Sequence, residues 1–297
     1  MVKLEEANKV IMLPFSRNAK IENAVNVSNV AFKDVEEVDE YNIHDGYLNI
    51  SHEVNNLISN IHGESQIIKL LTQNFKTLDK IPLLRIIGSI NQNCLKLTKS
   101  FNNIIEIQRI KENRMCLYFN NVNVVEIIED IVINVSKNIK NKRIIFDTNI
   151  EEKFMPCDIE KIQRTILILL SNAVRFSSEK EVFVNLNIDN NITINISFRN
   201  NNSNLLSFFI DSMDNLKVNS LEDLSIGFYL CKSIIELHEG SIGIVGNEDE
   251  ICFSIQMPYK NTDSIYYLFS KCKIFDKANL TELIQIEFSD LYDLDEQ

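Results

Sequence analysis

Two long stretches, in which apolar residues recur in alternating steps of three and four, constrain the fold most. In the first stretch, from about residue 41 to residue 75, the apolar positions are Ile50, Val54, Leu57, Ile61, Ile68, Leu71 and Phe75, with a break at Glu64. In the second, from Pro82 to about Arg114, they are Leu83, Ile87, Ile90, Cys94, Leu97, Phe101 and Ile104. This spacing is typical of helices that pack in a bundle. A short turn joins the two stretches, so the sequence predicts an antiparallel helical hairpin.

The hairpin also predicts a homodimer. In a single hairpin the two helices cover only half of the apolar stripe, and the other half stays exposed to water. Two hairpins together bury that stripe in a four-helix bundle, which is therefore the economical arrangement.

The first helix carries Ser51-His52-Glu53 near its start. His52 lies two residues after the seam position Ile50, about 200° around the helix, and is expected to face water. A histidine that packing does not require, with a carboxylate beside it, is a candidate to accept a group from a partner protein. An ordinary surface histidine is the alternative that this pattern alone leaves open.

Size and charge limit the class of protein. With 297 residues the chain is long enough for two domains, each with its own core. A net charge of −12 argues against nucleic acid as the main partner. No apolar run is long enough to cross a bilayer and no signal-peptide pattern is present, so a cytoplasmic location is expected. Six scattered cysteines without a CxxC pair indicate reduced thiols rather than disulfides or a zinc site.

The second half of the chain alternates between helical and strand patterns. Strands are predicted at residues 116–119, 143–146, 182–188, 192–198, 241–245 and 251–257. Helices are predicted at residues 124–140, 158–176 and 226–238, with Asp158 as an N-cap and a polar loop region after residue 198. The two strands at 182–198 form a hairpin. Helices that cover one face of a mixed sheet make an α+β sandwich.

These patterns divide the chain into four parts. Residues 1–42 form an N-terminal lead-in, residues 43–114 the helical hairpin, and residues 115–259 the sandwich. Residues 260–297 form an acidic extension that supplies −4 of the net charge of −12. Within this extension a docking helix is expected around residues 280–288, followed by a disordered acidic tip.

The order of these parts resembles the transmitter module of bacterial two-component sensor histidine kinases. That module pairs a dimeric helical hairpin, which carries the phosphoacceptor histidine, with an ATP-binding α/β sandwich. The resemblance covers about residues 45–258 and is strongest around His52, in the helix 158–177 and in the segment 227–240. It implies an α+β fold with a four-helix bundle formed on dimerisation, followed by a histidine-kinase-type ATPase sandwich.

The resemblance implies roles for three residues of the first helix. Ser-His-Glu at 51–53 is similar to the family's H-box, which makes His52 the phosphoacceptor and Glu53 its acid/base partner. Asn56 matches a position that orients water for dephosphorylating the partner regulator. The proline usually found next is Leu57 here, so the usual kink of this helix is not expected.

The nucleotide site departs from the family pattern at several positions. The chain retains three residues of the family pattern. The resemblance implies that Asn172 would hold magnesium if a nucleotide binds, and that Arg175 and Gly227 belong to the same site. The family has another asparagine four residues before Asn172. That position is Ile168 here, and isoleucine cannot ligate a hard cation. The glycine-rich loop reads Asn-Asn-Asn-Ser-Asn at 200–204, and Asn200 replaces the aspartate that reads adenine. These losses predict a degenerate site, which favours a folded platform without productive ATP chemistry.

The sequence therefore favours a pseudokinase that acts as a histidine phosphotransferase or phosphatase on a response-regulator receiver domain, through His52 and without a required cofactor. Its arrangement is similar to that of sporulation phosphorelay phosphotransferases, and the low-glycine, Asn/Ile-rich composition suits an AT-rich Gram-positive genome, in which a sporulation-linked regulator is expected. The first alternative is an ATP-dependent autophosphorylating cytosolic kinase, which needs ATP and magnesium. The second is a non-catalytic module that binds a regulator or a kinase.

Overall fold

The computed structural model of the chain describes residues 56–68, 70, 80–139, 141–202, 204–214, 224–247, 249–258 and 277–291. His52, Glu53, the lead-in 1–42 and the acidic tip after residue 291 lie outside these residues, so the predictions made for them stay predictions. Within the described ranges, every helix falls short of the length or the apolarity that crossing a membrane requires.

Two helices that lie side by side form the first part of the fold. Residues 56–68 form α1, and Lys80–Lys111 form α2. Glu64, the break in the first apolar seam, faces α2, where its carboxylate accepts hydrogen bonds from Ser89 Oγ at 2.5 Å and Asn93 Nδ2 at 3.4 Å. The break in the seam is therefore a polar contact across the hairpin, which fixes how the two helices align.

The sandwich is built on a mixed sheet. In the described part of the chain its strands are β2 (Arg143–Thr148), β4 (Glu181–Ile188), β5 (Asn191–Arg199), β6 (Ser241–Gly246) and β7 (Glu250–Pro258), in the order β2-β4-β5-β7-β6. The β2–β4 pair is parallel and the other pairs are antiparallel. A separate antiparallel pair joins β1 (Asn120–Asn123) to β3 (Phe154–Cys157).

Helices cover one face of this sheet. They are α3 (Val124–Asn138), α4 (Ile159–Phe176), α5 (Leu205–Asp214) and α6 (Leu224–Leu237). Alternate residues of the central strands, such as Val184 on β4 and Ile194 on β5, are fully buried beneath them. Asp158 caps α4 as predicted, because its Oδ1 accepts a hydrogen bond from the Lys161 amide at 3.1 Å. The predicted α+β fold is confirmed.

Three local predictions were wrong. Residues 116–119 do not form a strand; the Tyr118 amide donates instead to the Asp158 carboxylate at 2.8 Å, and the strand begins at Asn120. β3 lies in a stretch for which no strand was predicted. The region after β5, read as a polar loop, contains α5, because Phe209 inserts fully into the core against Phe198 and Phe253.

The helix expected in the acidic extension is present. It is α7, Lys277–Glu287, and it packs against α2, α3 and α4. Leu280, Ile284 and Phe288 join the main apolar core of the sandwich. The extension therefore adds core residues to the fold.

Candidate functional site

The described part of α1 includes one of the three predicted phosphotransfer residues. Asn56 is helical and exposed at the beginning of that part, so its side chain is open to a partner. His62, one and a half turns further along, is also exposed, and its Nε2 lies 3.4 Å from Gln66 Nε2. This placement is that of an ordinary surface histidine.

The predicted nucleotide residues Asn172 and Arg175 lie on α4, which packs against α6. Gly227 of α6 faces Ile168 of α4 so closely that a Cβ at position 227 would lie 3.1 Å from Ile168 Cγ2. Ile168 itself is 4% exposed. The residue that replaces the family's second asparagine therefore fills the space over Gly227, and this glycine serves close helix packing.

Asn172, Arg175 and Gly227 line a common cavity of about 50 Å³. This volume holds a few water molecules, whereas pockets for drug-sized molecules and cofactors measure roughly 300–1,000 Å³. Two residues that follow α7, Asp290 and Leu291, lie in its wall. The cavity formed by these described residues is therefore smaller than the pockets that usually hold a nucleotide.

Asn200, predicted to read adenine, is not among the residues that line this cavity. It is 6% exposed, and its Nδ2 donates to the Phe176 carbonyl at 2.6 Å. Its Oδ1 accepts from the Asn202 amide at 2.5 Å. Both ends of the amide therefore bind backbone, and they fix the path of the loop from β5 towards α5. Its role towards adenine stays a prediction.

A buried ion network that the sequence did not predict lies beside this cavity. Arg164 of α4 is 7% exposed, and its guanidinium contacts groups from two other helices. Nη1 lies 2.5 Å from Glu106 Oε2, Nη2 donates to Asn103 Oδ1 at 2.7 Å, and Nε lies 3.3 Å from Glu287 Oε1. Lys161 also pairs with Glu106. One arginine thus holds α2, α4 and α7 together, and burial strengthens each of its contacts.

A second cation, Lys99 of α2, extends this network to the end of the described chain. Its Nζ lies 2.9 Å from Asp290 Oδ2 and donates to the Glu287 carbonyl at 3.1 Å. Seven residues earlier on α2, Gln92 Nε2 donates to the Ser289 carbonyl at 3.2 Å. The polar face of α2 is therefore bonded to the residues that follow α7.

A sequence signal for these contacts existed. Gln92, Lys99, Asn103 and Glu106 follow one another at intervals of seven, four and three residues, which places them on one face of α2. A polar stripe on a helix is usually a solvated face, and nothing local indicates a distant partner. The network was missed for that reason.

His238, at the end of α6, is buried and has a structural role. Its Nε2 accepts a hydrogen bond from the Asp158 amide at 3.1 Å, and its Nδ1 donates to the Ile234 carbonyl at 2.8 Å. Burial lowers its pKa, against smaller opposing effects of the Ile234 carbonyl and Asp158. The imidazole is neutral, and both nitrogens are engaged, so this histidine is closed to phosphoryl groups.

Comparison with known proteins identifies histidine kinases as relatives. The chain is 29% identical over 203 residues to the hybrid signal transduction histidine kinase G of Dictyostelium discoideum, which covers 64% of this chain and 6% of that protein. It is 25% identical over 218 residues to histidine kinase P4 of Formosa agariphila, which covers 68% of this chain and 15% of that protein. The chain thus spans a small part of the length of both curated relatives. No protein-family model matches the chain.

Solved structures support the same fold. The Acinetobacter baumannii histidine kinase AdeS aligns with a TM-score of 0.52 at 15% identity, over 71% of this chain and 100% of that chain. Full-length ShkA, solved in complex with AMPPNP, aligns with a TM-score of 0.51 at 12% identity, over 69% of this chain and 45% of that chain. The resemblance to a histidine kinase transmitter module, predicted from the sequence, is confirmed.

Proposed function

We propose that the chain is a degenerate histidine-kinase transmitter that exchanges phosphoryl groups between His52 and the aspartate of a response-regulator receiver domain. The names of its relatives and the fold support the signalling class. The observation that carries the proposal is the cavity of about 50 Å³ at Asn172 and Gly227, which is small for a nucleotide-binding pocket. The phosphoryl group then comes from, or returns to, another protein.

The proposed step balances without a nucleotide. The unprotonated ring nitrogen of His52 attacks the phosphorus of the receiver's aspartyl phosphate, and the bond from phosphorus to the aspartate oxygen breaks. The aspartate leaves as a carboxylate, while Glu53 takes the proton from the other ring nitrogen. Because the two phosphorylated groups are both high in energy, the step needs mainly proximity and alignment. Asn56, exposed on α1, is the residue that would orient a water molecule for removal of the phosphate.

A homodimer is part of this proposal. Ile87, Cys94 and Phe101, at intervals of seven residues along α2, are all exposed in the single chain. They belong to the predicted seam, and a second copy of the hairpin is the partner whose own stripe matches that spacing. A bundle of two copies would bury these side chains and leave the polar face of α2 on the sandwich.

Two phosphoryl donors separate this proposal from its alternatives. The chain is incubated with labelled ATP and magnesium, and separately with a labelled, phosphorylated receiver domain. His52→Ala is the test variant, and His62→Ala, which removes an exposed histidine of the same helix, is the matched control. Label taken from the receiver, or faster loss of receiver phosphate, is expected for the native chain and the control but not for His52→Ala.

The other outcomes assign the alternatives. Label taken from ATP by the native chain and lost in His52→Ala would contradict the proposal and support an ATP-dependent autokinase. In that case Asn172 would hold magnesium, and Arg175, Asn200 and Gly227 would contact nucleotide. Binding of the receiver without any His52-dependent change in phosphate would support a non-catalytic module.

A further inference from the structure

The segment 277–291, which comprises α7 and the turn after it, packs against two parts of the molecule at once. We call it the C-terminal clamp. Its apolar residues, among them Leu280, Ile284 and Phe288, are buried in the core of the sandwich. Its polar end is bonded to α2 of the hairpin. A segment attached on both sides restricts the movement of hairpin and sandwich against each other.

The attachment to α2 includes polar contacts from Lys99 and Gln92, among them a longer ion pair of 3.8 Å between Lys99 Nζ and Glu287 Oε2. Lys99 forms an ion pair with Asp290 and donates a hydrogen bond to the Glu287 carbonyl, and Gln92 donates to the Ser289 carbonyl. The side chains of Lys99 and Asp290 are 22% and 21% exposed. This pair is therefore partly exposed to water. Its contribution to stability is expected to lie between that of a fully exposed surface pair and that of a fully buried pair.

The attachment to the sandwich is deeper. The carboxylate of Glu287 is 2% exposed and pairs with Arg164. Glu287, Asp290 and Leu291 then form the wall of the cavity at Asn172. Because two carboxylates of the clamp and two cations, Lys99 and Arg175, line this cavity, its charge is balanced without an added anion.

We propose that the C-terminal clamp is an autoinhibitory contact, which closes the cavity at Asn172 and holds α2 against the sandwich until the Lys99–Asp290 pair separates. This inference goes beyond the proposed function, because it concerns the movement of α2 against the sandwich and not the source of the phosphate. Its test measures closure of the cavity and involves neither His52 nor a receiver domain. Failure of this inference and failure of the proposed function are therefore distinguishable.

A thiol placed in the cavity reports whether the clamp is open. Ser171 lines the cavity and is 7% exposed, so Ser171→Cys adds a thiol that a maleimide reaches only after opening. This substitution is made in the otherwise native full-length chain and combined in turn with Asp290→Lys and Lys99→Glu, which break the pair from opposite sides. Glu282→Lys is the matched control, since it makes the same charge change at an exposed position of α7.

The site of labelling is located by mass spectrometry, and two native cysteines serve as internal controls for unfolding. Cys157 and Cys231 are completely buried in the sandwich, and burial raises the pKa of Cys157 to about 12. Both stay unlabelled for as long as the fold is intact. If position 171 is labelled while these two thiols stay unlabelled, the clamp has opened without unfolding of the sandwich.

We expect both pair-breaking variants to accelerate labelling at position 171 by at least about tenfold, because labelling of a closed site follows the population of the open form. Glu282→Lys is expected to leave the rate unchanged. Equal rates in all four proteins would overturn the inference. So would an acceleration with Asp290→Lys alone, because α2 would then take no part, or an acceleration that always accompanies labelling of Cys157 and Cys231.

Discussion

Gly227 and Ile168 pack so closely that a methyl group at position 227 would lie 3.1 Å from Ile168 Cγ2. This contact joins α6 to α4 at the place where the sequence predicted a degenerate nucleotide site. Ile168, at the position where the resemblance would place a magnesium-binding asparagine, is thus the side chain that fills the space above the glycine.

Replacing Gly227 measures this contact. An alanine within a helix is favoured over glycine by roughly 0.5–1 kcal/mol, and Gly88→Ala is expected to gain that amount, because nothing lies within 4 Å of a Cβ at that position. Gly227→Ala is expected to be less favourable than Gly88→Ala by about 1 kcal/mol, since crowding in a packed interface offsets the gain. Urea denaturation checks both values. In an Ile168→Ala background the difference between the two replacements should disappear; a difference that persists would contradict the assigned contact.

The buried ion network predicts a large loss of stability on removal of its central cation. Arg164→Met leaves the carboxylates of Glu106 and Glu287 without their buried partner, and breaking such a pair costs about 3–5 kcal/mol. Arg199→Met is the control, because Arg199 pairs with Glu179 at the surface, with side chains 66% and 53% exposed. Its removal should cost less than about 1 kcal/mol. Similar unfolding free energies for the two variants would argue against the network.

His238 predicts a specific dependence of stability on pH. Its pKa in the folded chain is lowered from the ordinary value of 6.5, so folding favours the neutral ring. This contribution is complete above the unfolded pKa and is lost as the pH falls from about 6.5 towards the folded pKa. His238→Gln should be less stable at pH 7 and should lose less of its unfolding free energy between about pH 7 and pH 5.5. An unchanged slope in His238→Gln would contradict the assignment.

The exposed stripe of α2 predicts the oligomeric state. Phe101→Glu places a charge on a side chain that is 49% exposed in the single chain, so the fold of the monomer should tolerate it. In a bundle of two copies the same charge becomes buried, and the dissociation constant of the dimer should rise at least about tenfold. Sedimentation equilibrium measures this change, with Phe208→Glu on α5, similarly exposed at 49%, as the control. A chain that sediments as a monomer in native form would contradict the predicted bundle.

Local patterns were sufficient for much of the fold. The apolar spacing predicted α2, the alternation in residues 182–198 predicted β4 and β5, and the position of Asp158 predicted the cap of α4. These features depend on residues that are neighbours in the chain. α5 was missed because asparagines precede it, although Phe209 inserts completely into the core.

Local sequence patterns could not predict contacts between residues that lie far apart in the chain. Lys99 and Asp290 are separated by 191 residues, and each is unremarkable on its own helix or turn. A degenerate site was expected from the departures from the family pattern, but local patterns did not predict that Asp290 and Leu291 line the cavity at Asn172. A helix was expected in the acidic extension, yet periodicity does not say which surface such a helix covers.

The most direct test of the account locates the phosphate on the chain itself. The 297-residue chain is mixed with a phosphorylated receiver domain in the absence of any nucleotide, and the modified residue is identified by mass spectrometry at neutral pH, where phosphohistidine survives. We predict phosphate on His52, lost in His52→Ala and retained in His62→Ala. Phosphate that never appears on His52 from the receiver, while ATP and magnesium alone place it there, would contradict the account.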